Sequence, residues 1–226
     1  MDETLKLNAD LSARAVVRSG EMDYQPCPSP TVWCKRLYLD GPTEAGIVTS
    51  VVRYEAGSEF PTHHHPDGEE IFVLDGVFSD EHGDYPAGTY LLNPDRTSHA
   101  PFSKDGCMLF VKLRQYKGFG RTQVQMNTNV LDWQPRTDTG IWQKPLYIQG
   151  GFKEWTQLLK LDPGAEAPHH NHSNGEEVFV IDGEFEDEDG VYPAGTWTRS
   201  PPGSSHTVKS PKGAILYVRF GGIVVK

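Results

Sequence analysis

The chain repeats itself. Gly57, His63, His65, Glu69 and Gly76, followed by Gly88, Pro94 and His99, recur 107 positions later as Gly164, His170, His172, Glu176, Gly183, Gly195, Pro201 and His206. Both copies read Gly-x5-His-x-His-x3-Glu-x6-Gly, a gap of 11 residues, then Gly-x5-Pro-x4-His. The likeness reaches further. Tyr24-x-Pro26 and Trp33-x-Lys35-x-Leu37-Tyr38 return as Trp133-x-Pro135 and Trp142-x-Lys144-x-Leu146-Tyr147 at an offset of 109. The offset shrinks before Gly57, so the second copy has lost residues in the turn around 41–47, where a surface loop tolerates deletion. A period of this length divides the 226 residues into two like domains, each of which buries its own core if it is mostly strand.

Between these landmarks the chain reads as strand. Segments 48–55, 70–78, 89–92 and 108–116, and their counterparts 155–162, 177–185, 196–199 and 214–220, are rich in β-branched and aromatic residues. Gly83-Asp84, Asp189-Gly190 and a repeated Tyr-Pro-Ala-Gly mark turns. Short strands at regular spacing with such turns predict an all-β antiparallel sandwich or barrel in each half. The acidic stretch Glu184 to Asp189 reads as a solvated hairpin. Glycines 118 and 120 place a linker over 118–130, between a first domain at 22–117 and a second at 131–226. Residues 1–21 form an N-terminal arm whose first part is either helical or laid on another subunit.

Composition narrows the function. A net charge of −10 disfavours nucleic acid or an anionic membrane surface as partner. The first 20 residues hold no apolar run flanked by basic residues, so a cytoplasmic protein without a membrane span is expected. Three cysteines, with six residues between Cys27 and Cys34, fit no metal knuckle, and the expectation is reduced thiols, with a disulfide as the alternative.

Three imidazoles and one carboxylate recurring at fixed spacing point to one divalent metal ion per domain. Alternate strand residues share a face, so His63 and His65 can converge, a turn re-enters at Glu69, and His99 arrives from a later strand. Strand parity alone does not separate Glu69 from Glu70; the x3 spacing to His65 and the x6 gap to Gly76 favour Glu69. By the same argument the second set is His170, His172, Glu176 and His206. Such donors suit zinc, iron, manganese or nickel better than calcium or magnesium. An octahedral ion would keep two positions open for substrate or dioxygen, whereas a tetrahedral zinc would be saturated. Glu69 and Glu176 are also the candidate catalytic bases. Two cation pairs, Arg53 with Lys160 and Lys112 with Arg219, would contact an anionic substrate if they faced the lumen, or sit on an outer face if they did not. Phe60, Tyr90 and Trp197 are candidates for either a cavity mouth or the core.

These motifs resemble the two signatures of the cupin superfamily, and their duplication resembles a bicupin. The run His-x-His-x3-Glu-Glu-(Ile/Val)-Phe-Val-(Leu/Ile)-Asp-Gly, with Tyr-Pro-Ala-Gly-Thr after it, is most similar to the ChrR-like cupin domain, found in the C-terminal half of zinc-binding anti-sigma factors. The resemblance covers nearly everything after residue 22. It implies tandem double-stranded β-helix (jelly-roll) barrels, with a metal near the centre of each held by the residues named above. Two departures stand out. The usual glycine of the second motif is Gly203 in one copy but Arg96 in the other, which predicts a different loop shape there. Ser103 and Ser210 replace the asparagine that often ends that motif. Residues 1–30 carry no His-x3-Cys-x2-Cys pattern, so a sigma-factor partner is not expected.

Two functions follow. One is a metal-dependent oxygenase, of the dioxygenase type common among cupins, or a related lyase or isomerase acting on a small diketone- or carboxylate-type compound. The other is a ChrR-like sensor of metal or small molecules without catalysis, and both stand against a purely structural role for the two metals. Exposed sheet edges also make a homodimer a reasonable expectation.

Overall fold

The alternating segments form long antiparallel strands in both repeats. Residues 5–43, 45–137 and 140–225 are described in the computed structural model. The first unit holds Met22–Val130 and, of the residues before it, 5–9. Its large sheet runs in the order Leu5–Leu7, Val32–Gly41, Ile47–Tyr54, Cys107–Leu113, Glu69–Asp80, Thr89–Asn93, Val124–Asn127. A smaller layer pairs Ser58–Glu59 with Phe102–Ser103, His63–His64 with Ser98–His99, and Gly83–Pro86 with the last part of Glu69–Asp80. Ile71, Val73, Leu109 and Val111 of the large sheet pack with Phe78 and Tyr85 of the smaller layer, so the core lies between the two. Two antiparallel layers closed over one core make a β-sandwich barrel.

The second unit repeats the plan. Its large sheet runs Gln134–Thr137, Ile141–Tyr147, Trp155–Leu161, Ala214–Phe220, Glu176–Asp187, Thr196–Ser200, Ala15–Arg18. Ala165–His172 and Ser204–Ser210 form the smaller layer, and Val178, Val180, Leu216 and Val218 meet Phe185 and Tyr192 in its core.

One long strand in each unit serves both layers. Glu69 to Gly76 pairs with Cys107–Leu113, after which Val77 to Asp80 pairs with Gly83–Pro86. Gly76 sits at the crossing with a φ of 71°, and Gly183 does the same in the second unit with a φ of 71°. A bend here lets the two ends of one strand approach a common centre from different walls.

Four expectations are corrected. The N-terminal arm is strand rather than α-helix where described, with a single 3-10 turn at Ser19–Glu21: Leu5–Leu7 adds to the first unit's sheet and Ala15–Arg18 to the second unit's, satisfying edge backbone groups that a short exposed arm would leave open. Residues 1–4 lie outside the described residues. The stretch 118–130, read as linker, contains the strand Val124–Asn127 paired to Thr89–Asn93. Cys27 and Cys34 are disulfide-bonded rather than free. A tight hairpin, with Pro26 opposite Trp33, folds the intervening residues back and brings the two Cα atoms to 5.8 Å, within the usual disulfide range. Lastly, Arg96 does not reshape its loop. It adopts a φ of 75° where Gly203 has 84°, so the arginine accepts the left-handed backbone that the turn demands.

Candidate metal centre

Strand parity builds the site. Glu69 shares its face with the core residues Ile71 and Val73, so its carboxylate enters the barrel. Glu70 points the other way, where the Tyr90 hydroxyl donates to it at 2.6 Å and the Tyr116 hydroxyl donates to its second oxygen. His63 and His99 face each other across a pair of short strands. In the second barrel His170 lies opposite His206 in the same way. Four donor atoms in each barrel fall within 4.8 Å of one another: His63, His65, Glu69 and His99 in the first, His170, His172, Glu176 and His206 in the second.

The geometry fits a transition-metal ion. His65 Nε2 and His99 Nε2 lie 3.4 and 3.5 Å from Glu69 Oε2, and His172 Nε2 and His206 Nε2 lie 3.4 and 3.6 Å from Glu176 Oε2. His172 Nε2 and His206 Nε2 are 3.0 Å apart. Donors about 2.1 Å from a common ion stand about 3.0 Å apart at a right angle and about 3.4 Å at the tetrahedral angle. Tautomers agree. His63 Nδ1 donates to the Pro61 carbonyl at 3.0 Å, and His99 Nδ1 to the Asp80 carboxylate at 3.1 Å. His65 Nδ1 meets the Thr97 hydroxyl at 2.7 Å, and that hydroxyl spends its own proton on the Pro94 carbonyl. All three Nε2 atoms are therefore lone pairs aimed inward. Those of His65 and His99 are buried with no hydrogen-bond partner, the orphaned acceptors that an ion would satisfy.

The second barrel follows the pattern with changes. His170 Nδ1 donates to the Pro168 carbonyl at 2.8 Å and His206 Nδ1 to Asp187 at 3.3 Å. Ser204 stands in for Thr97 and its hydroxyl is buried without a partner. Ser200 stands in for Asn93, whose amide donates to Glu69 at 3.1 Å. Burial depresses His65 and His172 to about 4, so both are neutral at physiological pH. Glu69 is pushed up by burial, but the His63 contact and the neighbouring imidazoles outweigh it and hold it near 2. In Glu176 burial wins against His206 and Arg136 and raises it to about 7. An incoming cation near neutral pH thus meets an ionised carboxylate in the first barrel and a partly protonated one in the second.

Each donor set lines a cavity, of about 310 Å³ in the first barrel and about 550 Å³ in the second. Phe60 lines the first, its ring edge-on to His63 at 5.2 Å, whereas Tyr90 and Trp197 are fully buried and line neither. The four cations proposed as substrate contacts also line neither cavity. Lys112 and Arg219 pair across the sheet with Glu70 and Glu177, each one residue past a donor glutamate, so they occupy the opposite face. Lys112 is buried and donates to Thr49 at 3.2 Å. Arg53 lies 4.3 Å from the Tyr24 ring and Lys160 lies 5.7 Å from the Trp133 ring, on the outer side of the strands whose inward residues are Val52, Tyr54, Leu159 and Leu161. This cation–aromatic packing accounts for the repeated Tyr24 and Trp133.

Several site residues escaped the motif reading. Asp80 and Asp187, which fix His99 and His206, stand at the same 107-residue offset and were findable by extending the repeat. Arg14 was not. Its guanidinium donates to Asp187 at 2.5 Å and to Tyr192 at 2.7 Å, and pairs with Asp189. The repeat places Gln123 at the equivalent position, bonded to Asn93 at 3.0 Å. Groups that orient a metal-binding histidine typically change affinity by about 10–100-fold when removed. Arg14→Gln is therefore expected to weaken metal binding in the second barrel by about tenfold and leave the first unchanged, as read by competition with a chelator.

The family model for the ChrR Cupin-like domain matches residues 12–117 and again 121–224. No curated protein sequence matches the chain significantly. Among solved structures, a candidate dioxygenase from Nostoc punctiforme superposes with a TM-score of 0.78 at 14% identity, covering 95% of this chain and 85% of that one. A bacterial pirin from Escherichia coli in complex with nickel(II) gives 0.70 at 15% identity over 94% and 100%. An oxalate decarboxylase from Lactobacillus farciminis in complex with formate gives 0.65 at 12% identity over 94% and 87%. At such identities the likeness is one of fold. Among the described residues no helix is long and apolar enough to cross a membrane.

Proposed function

Since the chain belongs to the ChrR Cupin-like domain family, with one copy of that domain in each half, we propose that it is a metal-dependent oxygenase, or a related lyase or isomerase, acting on a small oxygenated compound of diketone or carboxylate type. One observation carries this reading. Imidazoles with fixed tautomers present their free Nε2 atoms in the wall of a cavity large enough for a small molecule, rather than in a closed knot of side chains. His63, His65, Glu69 and His99 hold one ion, and His170, His172, Glu176 and His206 the other. A bound ion of this kind supplies Lewis-acid polarisation of a carbonyl or enolate and, where it is ferrous, dioxygen chemistry. The chain's own part is to orient the donors through Asp80, Asp187 and Thr97, to exclude bulk water with the apolar barrel wall, and to offer Glu69 or Glu176 for proton transfer.

Elemental analysis of protein purified without added metal or chelator tests the reading, followed by oxygen uptake and product screens against diketones and small acids. About two equivalents of iron, manganese or nickel per chain, with turnover of one such compound, is the expected result. Zinc that resists chelation, with no turnover across the screen, would overturn catalysis and leave a metal sensor as the better account.

A further inference from the structure

We propose that Arg136 forms a carboxylate-binding subsite in the second barrel, which takes a small monocarboxylate with an apolar body. Arg136 lies on the strand Gln134–Thr137 at the barrel rim and lines the same cavity as the four donors. Among the described residues it makes no hydrogen bond or ion pair, although twelve Asp and Glu side chains take part in ion pairs, so its planar fork is left free toward the cavity. A guanidinium matches a carboxylate with two parallel hydrogen bonds, a geometry that neither lysine nor a neutral ligand reproduces. Below the rim the wall is apolar. Leu159, Leu161, Val178, Leu216 and Val218 line it, and the rings of Trp155 and Phe220 stack at 4.1 Å beside the donors. A ligand with one charged end and an oily body satisfies both regions, its charge on the guanidinium and its body on the apolar wall.

The first barrel is built differently. Its residue equivalent to Arg136 is Cys27, which is tied to Cys34, and its smaller cavity draws cations from Arg36 and Arg114 instead. The repeat therefore supplies one scaffold with two ligand mouths. Sequence reading could not have found Arg136, because no counterpart in the other copy marks it.

The subsite rests on the catalytic reading for its purpose but not for its chemistry, and the experiment separates the two. Phenylacetate and its neutral isostere phenylacetamide are titrated calorimetrically into wild type, Arg136→Gln and Arg136→Lys, each both metal-loaded and metal-stripped, with circular dichroism to confirm the fold. Binding in the first barrel is common to all variants and cancels. Wild type is expected to prefer phenylacetate. Arg136→Gln is expected to weaken it by about tenfold or more, as loss of a charge-assisted contact does, while Arg136→Lys recovers part of the loss and phenylacetamide is indifferent to all three. No phenylacetate binding by wild type, equal affinity in wild type and Arg136→Gln, or phenylacetamide bound as tightly as phenylacetate would each overturn the subsite. Arg136-dependent binding that persists in metal-stripped protein, alongside a failed turnover screen, would sink the catalytic reading alone.

Discussion

Replacing His170 and His172 together with alanine is expected to take the metal content of the chain from about two ions to about one. The remaining donors of that barrel, Glu176 and His206, cannot hold an ion against dialysis. Binding by four such donors is worth roughly 10–16 kcal/mol in structural zinc sites, and losing two of them removes several kcal/mol, or more than a thousandfold in affinity. The first barrel keeps its ion because each set is drawn wholly from its own unit: His63, His65, Glu69 and His99 in one, His170 to His206 in the other. Elemental analysis after exhaustive dialysis reads the result, and the reciprocal His63 and His65 double variant is the control. Loss of both ions from either variant would contradict independent sites. Thermal unfolding in the presence of metal should show the same division, since an ion that binds only the folded barrel stabilises that barrel by mass action.

The donors were legible because the chemistry demands the same residue types in both copies, and a repeat makes that demand visible. Strands were legible for a related reason: β-branched and aromatic residues between Gly and Pro turns recur with the period. What stayed hidden depends on register or on one copy alone. Whether Lys112 faces the lumen turns on its pairing with Glu70 rather than Glu69, and the sequence does not state which residue lies across the sheet. The Cys27–Cys34 bond and Arg136 occupy the same place in the two copies with different chemistry, so neither is echoed by the other. Strands as short as Ala15–Arg18 carry too few residues for an alternation to register, and their partners lie far along the chain. The choice between Glu69 and Glu70, by contrast, followed from spacing alone, and the structure puts Glu69 among the donors and Glu70 beneath two tyrosine hydroxyls.

Gly183→Ala is expected to destabilise the second barrel by roughly 3 kcal/mol or more, whereas Gly203→Ala costs only about 1 kcal/mol. Both glycines have positive φ, 71° and 84°, so both substitutions carry the left-handed penalty of an L-residue. They differ in what surrounds them. A Cβ on Gly183 would stand 2.1 Å from the Gly213 carbonyl oxygen and 3.0 Å from the Ala214 Cα, both backbone atoms that cannot swing aside. A Cβ on Gly203 meets nothing within 4 Å. Arg96, holding the same left-handed place in the first copy, already shows that this second turn accepts a side chain. Gly183 is where the strand Glu176–Asp187 passes from the large sheet to the smaller layer, and its two ends bring Glu176 and the His206 partner Asp187 to one centre. Spreading that crossing by even a fraction of an ångström moves both. The alanine variant should therefore lose metal affinity in the second barrel together with stability, in a melt lowered by roughly 10 °C or more for a domain of this size. Equal melting of the two glycine variants would show that left-handed strain, and not the close approach of two backbones, is what these positions select against.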